Sequence, residues 1–304
     1  MENLLCEQSD HCLILDFINK LCKKYNTTTF DAFKKELLNN KKMYNFIVKE
    51  HDNLCLIYSE NSNHHSTFNS LTFELENDTR CCIIDKNTFE PIVSMYNCTY
   101  CNDDALELLK KINWENISVT QCYEGIYVLV YFYNNKWNVS SRTELDINNL
   151  QSNKLHNKTY RDLFDELIAP LFKLDDLDKN YCYHFIMVHY KIKNIVGYHF
   201  EKDYKKLIHV LTTESKTLKP IDYIINSSVI QPEKMYFSCL DEMISKIEQI
   251  SSTDLYTKNI SIEGFMIKYI RGNKITMMKI QTNAYKKIFN VRNHCSDNVH
   301  QFYV

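Results

Sequence analysis

The chain has 304 residues, 44% of them hydrophobic and 13% aromatic, enough to bury one large core or two small ones. A formal net charge of −2 excludes a global basic field that would draw it onto nucleic acid, so any such contact must be local. Glycine and proline number four each among abundant Asn, Lys, Ile and Tyr, a bias that follows from an AT-rich genome and carries little chemistry.

The N-terminal stretch MENLLCEQSDHCLILDF puts acids and a histidine where a secretory signal needs a basic start and an unbroken apolar run. No window reaches the apolar length of a membrane span, so no membrane association is expected. Twelve cysteines in such a chain read as reduced thiols in a cytoplasmic compartment.

Residues 10–50 read as helical, with apolar residues at three- and four-residue spacing and Thr29 and Asp31 as caps. Residues 53–60 and 68–75 read as strands. From Arg80 to Asn97 the pattern is strand, Asp-Lys-Asn-Thr turn, strand, with Cys81 and Cys82 pointing to opposite faces. Cys98 and Cys101 form one C-x-x-C pair, a weak zinc signal without a second pair to complete four ligands. A short helix is predicted over 103–112, and a hairpin built on Glu124-Gly125 over 119–141. Then come an amphipathic helix over 159–172, strands over 181–190 and 194–200, and a mixture of short strands and a helix over 205–250. Glu263-Gly264 opens a second hairpin, and a helical or irregular piece closes the chain. Strands cluster without strict βαβ alternation, which predicts an α+β fold with antiparallel sheets flanked by helices.

Two of the four glycines thus sit in Glu-Gly pairs at strand mouths. Side chains alternate along a strand, so Ile126, Val128, Val130 and Phe132 share the face of Glu124, and Tyr127, Leu129 and Tyr131 share that of Gly125. Both faces are apolar, which predicts an interior strand covered on both sides. The plain explanation of each pair is a bulge glycine beside a solvated glutamate; glycine also clears space for something to approach closely. Between Lys258 and Arg292 eight basic residues stand against one acid, Glu263, so RNA contact is expected, if anywhere, through residues 258–292.

In this order the segments resemble the nucleotidyltransferase domain of the RNA ligase 1 family, in the divergent form carried by large DNA viruses. Arg80-Cys-Cys-Ile-Ile-Asp resembles the family's strand with Arg-Gly and a hydrophobic pair. Cys122-Tyr-Glu124-Gly125 falls on motif I, normally Lys-x-Asp/Glu-Gly, and Ser140-Ser-Arg142 falls on the basic strand that follows. His184-Phe185-Ile186 falls on the motif with Phe-Glu, Glu263-Gly264 on motif IV, and Lys279-Ile-Gln281 on motif V, normally Lys-x-Lys. The resemblance implies ATP and Mg²⁺ as cofactors where the pocket is functional. It implies a motif I lysine that attacks the α-phosphate, carboxylates that hold nucleotide and metal, and motif V lysines that neutralise the triphosphate.

Cys122 stands where that lysine belongs, Ile186 where a carboxylate belongs, and Gln281 where the second motif V lysine belongs. Arg80, Glu124, Gly125, Arg142, Glu263, Gly264 and Lys279 remain as pocket equivalents. The expectation is a catalytically degenerate RNA ligase-like protein with no catalytic residue, no cofactor and no metal. It would act as a binding or scaffolding module with a protein partner or its own copies, as a virion component or an accessory to RNA processing. An unconventional ATP-dependent RNA ligase and a nucleotide- or RNA-end-binding regulator without turnover are the alternatives. The expected organisation is one nucleotidyltransferase-like domain over 1–304, with a helical N-terminal part (1–50), a ligase-like core (51–304) and no C-terminal RNA-binding domain.

Overall fold

Among the described residues three sheets, almost wholly antiparallel, carry the architecture. The computed structural model describes Lys23 and residues 30–39, 46–59, 79–95, 99–150, 158–200, 202–271 and 274–294. The first sheet is β1 (Phe46–His51), β2 (Leu54–Ser59), β3 (Cys82–Asp85) and β4 (Pro91–Ser94), each paired to the next. Helix α1 (Phe30–Asn39) covers one of its faces with Phe30, Phe33 and Leu37, packed on Cys55, Ile57, Cys82 and Ile84. The opposite face, with Leu56, Cys81 and Ile83, packs on Leu129, Tyr131 and Cys182. Adjacent Cys81 and Cys82 therefore serve two different cores, as strand alternation requires.

The second sheet takes its strands in the order β11 (Pro220–Ile221), β10 (Lys205–Glu214), β9 (Tyr181–His189), β7 (Ile126–Tyr133), β8 (Lys136–Ser141). Asn134 and Asn135 turn β7 into β8 with φ of 51° and 60°, the left-handed pair that a two-residue hairpin needs and that Asn tolerates. β7 is interior: Ile126, Val128 and Val130 pack on α3 (Tyr160–Ile168), while Tyr127, Leu129 and Tyr131 pack on the first sheet. α3 begins at a capping box in which Thr159 and Asp162 each satisfy the other's main-chain N–H.

The third sheet has the order β12 (Lys234–Met235), β6 (Ile117–Cys122), β13 (Gly264–Arg271), β14 (Lys274–Gln281), β5 (Thr99–Cys101). β5 runs parallel to β14; the other pairs are antiparallel. Helices α2 (Asp103–Leu109) and α4 (Leu240–Thr257) bury Ala105, Leu109, Met243 and Ile247 against Val119, Phe265, Ile267 and Met278. Helix α5 (Asn283–His294) follows β14 directly.

Two expectations are corrected. Residues 46–50, read as the end of a helix, are β1; short FIVKEH has β-branched Ile47 and Val48, and Asp52 at φ 49° closes a tight hairpin onto β2. Residues 194–200 are not a strand but a loop ending in a 3₁₀ turn, Gly197–Phe200, because their N–H groups go to Glu124 and Ile260 rather than to a ladder. Of the helix predicted over 10–29 only Lys23 is described, and the strand over 68–75 falls outside the described residues.

Candidate functional site around the two Glu-Gly junctions

β6 ends at Cys122, and the chain crosses through Tyr123, Glu124 and Gly125 into β7 of the second sheet. Across β6, Cys122 pairs with Gly264, and Gly264 pairs with Gln281 on its other side. Glu263 precedes that glycine, so the register gathers Cys122, Glu263, Lys279 and Gln281 at one corner of the third sheet. Lys279 Nζ lies 2.7 Å from Glu263 Oε1, and Gln281 Nε2 donates to the same oxygen at 2.9 Å. The Cys122 thiol donates to Glu263 Oε2 at 3.3 Å. Glu263 is 6% exposed and Cys122 5% exposed.

This environment sets the protonation of the groups that serve Glu263. Burial, and then the negative charge of Glu263, hold the Cys122 thiol well above its ordinary pKa, so it stays neutral. For Lys279 burial opposes the charge, but the negative charge and hydrogen bond of Glu263 outweigh it and raise the ammonium above its usual range. With the thiol neutral, Glu263 is the partner that matters.

Asn102, which sequence reasoning missed, locks this corner. Its main-chain N–H donates to Lys279 O at 2.8 Å, and its side chain makes two 3.0 Å bonds with Gln281, one to the N–H and one to Oε1. Its backbone, at φ 51° and ψ −114°, lies outside the left-handed helical region that Asn commonly adopts, and its place just before the acidic start of α2 was the available signal. Cys101 pairs with Lys279 across β5 and β14, while Cys98, the other half of the weak zinc signal, lies outside the described residues.

No protein-family model and no curated protein matches the chain by sequence. Solved structures do match. A putative ATP-dependent DNA ligase from Aquifex aeolicus aligns over 89% of this chain and 69% of its own, with a TM-score of 0.54 at 12% identity. An archaeal ATP-dependent RNA ligase aligns over 86% of this chain and 67% of its own, also at 0.54, with 10% identity. A second form of that RNA ligase covers 90% and 70% at 0.53. The chain has the nucleotidyltransferase fold of ATP-dependent ligases.

Within this ligase fold the first junction is built differently from the second. Glu124 Oε2 accepts from the main-chain N–H groups of Ile195 and Val196 at 2.7 and 2.8 Å, and Gly197 N–H donates to Ile260 O at 2.7 Å. These bonds strap the 195–198 segment against the sheets and seat Tyr198, 9% exposed and stacked on Tyr204 at 5.0 Å, close to both Glu124 and Cys122. What Gly125 admits is protein: a Cβ there would stand 2.6 Å from Met187 O and 2.7 Å from Ile186 Cγ2. Ile186 in turn packs with Val188, Val196, Tyr198, Ile208, Ile260 and Tyr285 in an apolar cluster.

Arg80 and Arg142 lie close enough for their charges to interact. Arg142, at the end of β8, is half-buried, and burial followed by the neighbouring Arg80 charge lowers its pKa from the ordinary guanidinium value. Among the described residues neither arginine has an ion pair with a carboxylate. A guanidinium is a planar fork of donors, which suits a phosphate.

Proposed function

We propose that this chain is a ligase-fold protein in which nucleotidyl transfer is lost and which acts as a binding or scaffolding module. The observation that carries the reading is the closed set around Glu263. Attack on an α-phosphate needs an unprotonated amine or a thiolate, and the two candidates nearest the motif I position are both held in their protonated forms. The Cys122 thiol keeps its proton and donates it to Glu263, and Lys279 is an ammonium bound to the same carboxylate. A divalent metal would have to compete with Lys279 and Gln281 for Glu263, while Ile186 offers no ligand. The residues present therefore do not fit the Mg²⁺ that the ligase reaction uses. The apolar cluster around Ile186 and Tyr198 also favours a filled cleft, and with it a protein partner or a second copy as the working contact.

The Arg80 and Arg142 charges favour one second reading: a regulator that binds the phosphates of a nucleotide or an RNA end without turnover. Incubation with labelled ATP and Mg²⁺ separates these from an active ligase. No AMP adduct is expected on the wild type, nor on Cys122→Lys, whose new amine would face Glu263 and join its ion pair. A stable AMP adduct on the wild type would overturn the proposal. Calorimetry with ATP then divides the other two: salt-sensitive binding lost in Arg142→Ala supports the regulator, and absence of binding supports the scaffold.

A further inference from the structure

A second basic stretch lies outside the 258–292 segment. Residues 190–206 carry five lysines against two acids, Glu201 and Asp203. They form the connection between β9 and β10, whose register sets Lys205 opposite His189, and Tyr190 N–H donates to Tyr204 O at 2.8 Å. α3 meets this end of the sheet through Glu166.

That carboxylate is the centre of a charged cluster. Lys205 Nζ lies 2.9 Å from Glu166 Oε1 and Lys158 Nζ 3.0 Å from Oε2. The two lysine side chains are 42% and 40% exposed. Their bonds hold the Glu166 carboxyl far below its ordinary pKa, at about 2, so it carries a full negative charge. His189 beside it is wholly buried. Its Nδ1 accepts the Lys191 N–H at 3.1 Å, and burial lowers its pKa, so at neutral pH it adds no charge. The Lys191 ammonium lies 5.3 Å over the ring of Tyr190, which stacks on His189 at 4.6 Å. Its charge reaches His189 as that of Lys205 does. Three ammonium groups therefore gather around one carboxylate, and the surface is positive.

We propose that this cluster docks an acidic segment of a protein partner, whose carboxylates pair with Lys158, Lys191 and Lys205. Two of these ammonium groups already hold a carboxylate at hydrogen-bonding distance, so a further one meets donors that suit it. A nucleic-acid strand fits less well. The Tyr190 ring that would stack a base is engaged by His189 and Lys191. Among the described residues the cluster offers no arginine fork to a phosphate, because Arg161 is held by Asp165 at 2.9 Å. Exposed charges of this kind set partner choice and encounter rate, and salt weakens them. The inference names the partner of the scaffold reading and rests on it.

Fluorescence anisotropy of the full chain with labelled oligoglutamate, and with oligouridylate of equal charge, tests it at low ionic strength. Oligoglutamate should bind, and more tightly than oligouridylate. Lys191→Glu with Lys205→Glu should weaken that binding roughly tenfold, whereas Lys286→Glu with Lys287→Glu on α5 should not. Glu166→Gln should tighten it by roughly threefold, a gain that damage to the fold would not produce. The proposal is overturned if oligoglutamate does not bind, if oligouridylate binds more tightly, if the two lysine pairs weaken binding equally, or if Glu166→Gln brings no gain. Each of these leaves the loss of nucleotidyl transfer untouched, since that fails only on an AMP adduct.

Discussion

Glu124-Gly125 and Glu263-Gly264 share a dipeptide and a place at the mouth of a strand, but their carboxylates face different groups. Glu124 accepts main-chain N–H groups from a loop 71 and 72 residues away and so fixes a backbone path. Glu263 accepts an ammonium, an amide and a thiol, and so fixes side chains. The glycines differ in the same sense. Gly264 lies under the neighbouring strand, where a Cβ would meet Ile280 O at 2.1 Å, whereas Gly125 admits both Met187 O and the Ile186 side chain. A local motif fixes where a carboxylate starts. Its partner, and hence its chemistry, is set by whichever strand or loop packs beside it.

The strongest way to break the comparison is to remove the two carboxylates in turn. Glu263→Ala strands a largely buried ammonium and should cost about 4 kcal/mol in urea unfolding. Glu124→Ala leaves two main-chain donors without their acceptor and should cost about 2 kcal/mol, with faster amide exchange at Ile195 and Val196 as its local signature. Equal costs would mean that the ion pair at Glu263 adds nothing to stability.

Next in size are the glycines. Gly264→Ala collides with backbone on a paired strand and should lose about 3 kcal/mol. Gly125→Ala should lose about 2 kcal/mol, because one of the two groups its Cβ would meet is a side chain, Ile186, and only the other, Met187 O, is main chain. Gly125→Ala should cost less in an Ile186→Ala background, which removes the Cγ2 that the new Cβ meets, than in the wild type. An equal cost in both would place the whole conflict on the main chain.

The smallest effect sharpens the second junction alone. A thiol kept neutral by burial binds its proton more tightly in the folded state than in the unfolded one. Its contribution is therefore fully present below the unfolded thiol pKa of about 8.5 and is lost as pH rises past it, by up to about 1.4 kcal/mol per pH unit for one group. Cys55, Cys81 and Cys182, pushed up to about 12, share this behaviour with Cys122. Denaturant unfolding of Cys122→Ser between pH 8.5 and 10 should accordingly show a slope shallower by one proton. An unchanged slope would show that the thiol already ionises in the folded protein.

Much of the fold was readable from residue patterns. The two faces of β7 sort into two cores as alternation requires, and Cys81 and Cys82 divide between them. Both hairpins form where the turn residues and apolar runs place them. The pattern failed at β1, where six residues are too few to tell a strand from the end of a helix, and at 194–200, where an apolar stretch is claimed by a distant glutamate. Of the candidate site, Cys122, Glu263, Lys279 and Gln281 come together, Glu124 turns to a loop, and Arg80 and Arg142 lie close enough for their charges to interact. Asn102 escaped notice because its contacts to Gln281 span 179 residues.

By itself the sequence determined the period of each long strand, the turn residues that end them and the identities of the side chains at the strand mouths. These follow from local sterics and from alternation, which act over a few residues. Only the tertiary structure decided what those side chains do. Cys122 meets Glu263 across 141 residues because β6 pairs with β13, and that register follows from burying the apolar faces of the whole sheet. The protonation of the Cys122 thiol is likewise a property of the space it occupies: burial and a neighbouring carboxylate set it, and neither is written at position 122.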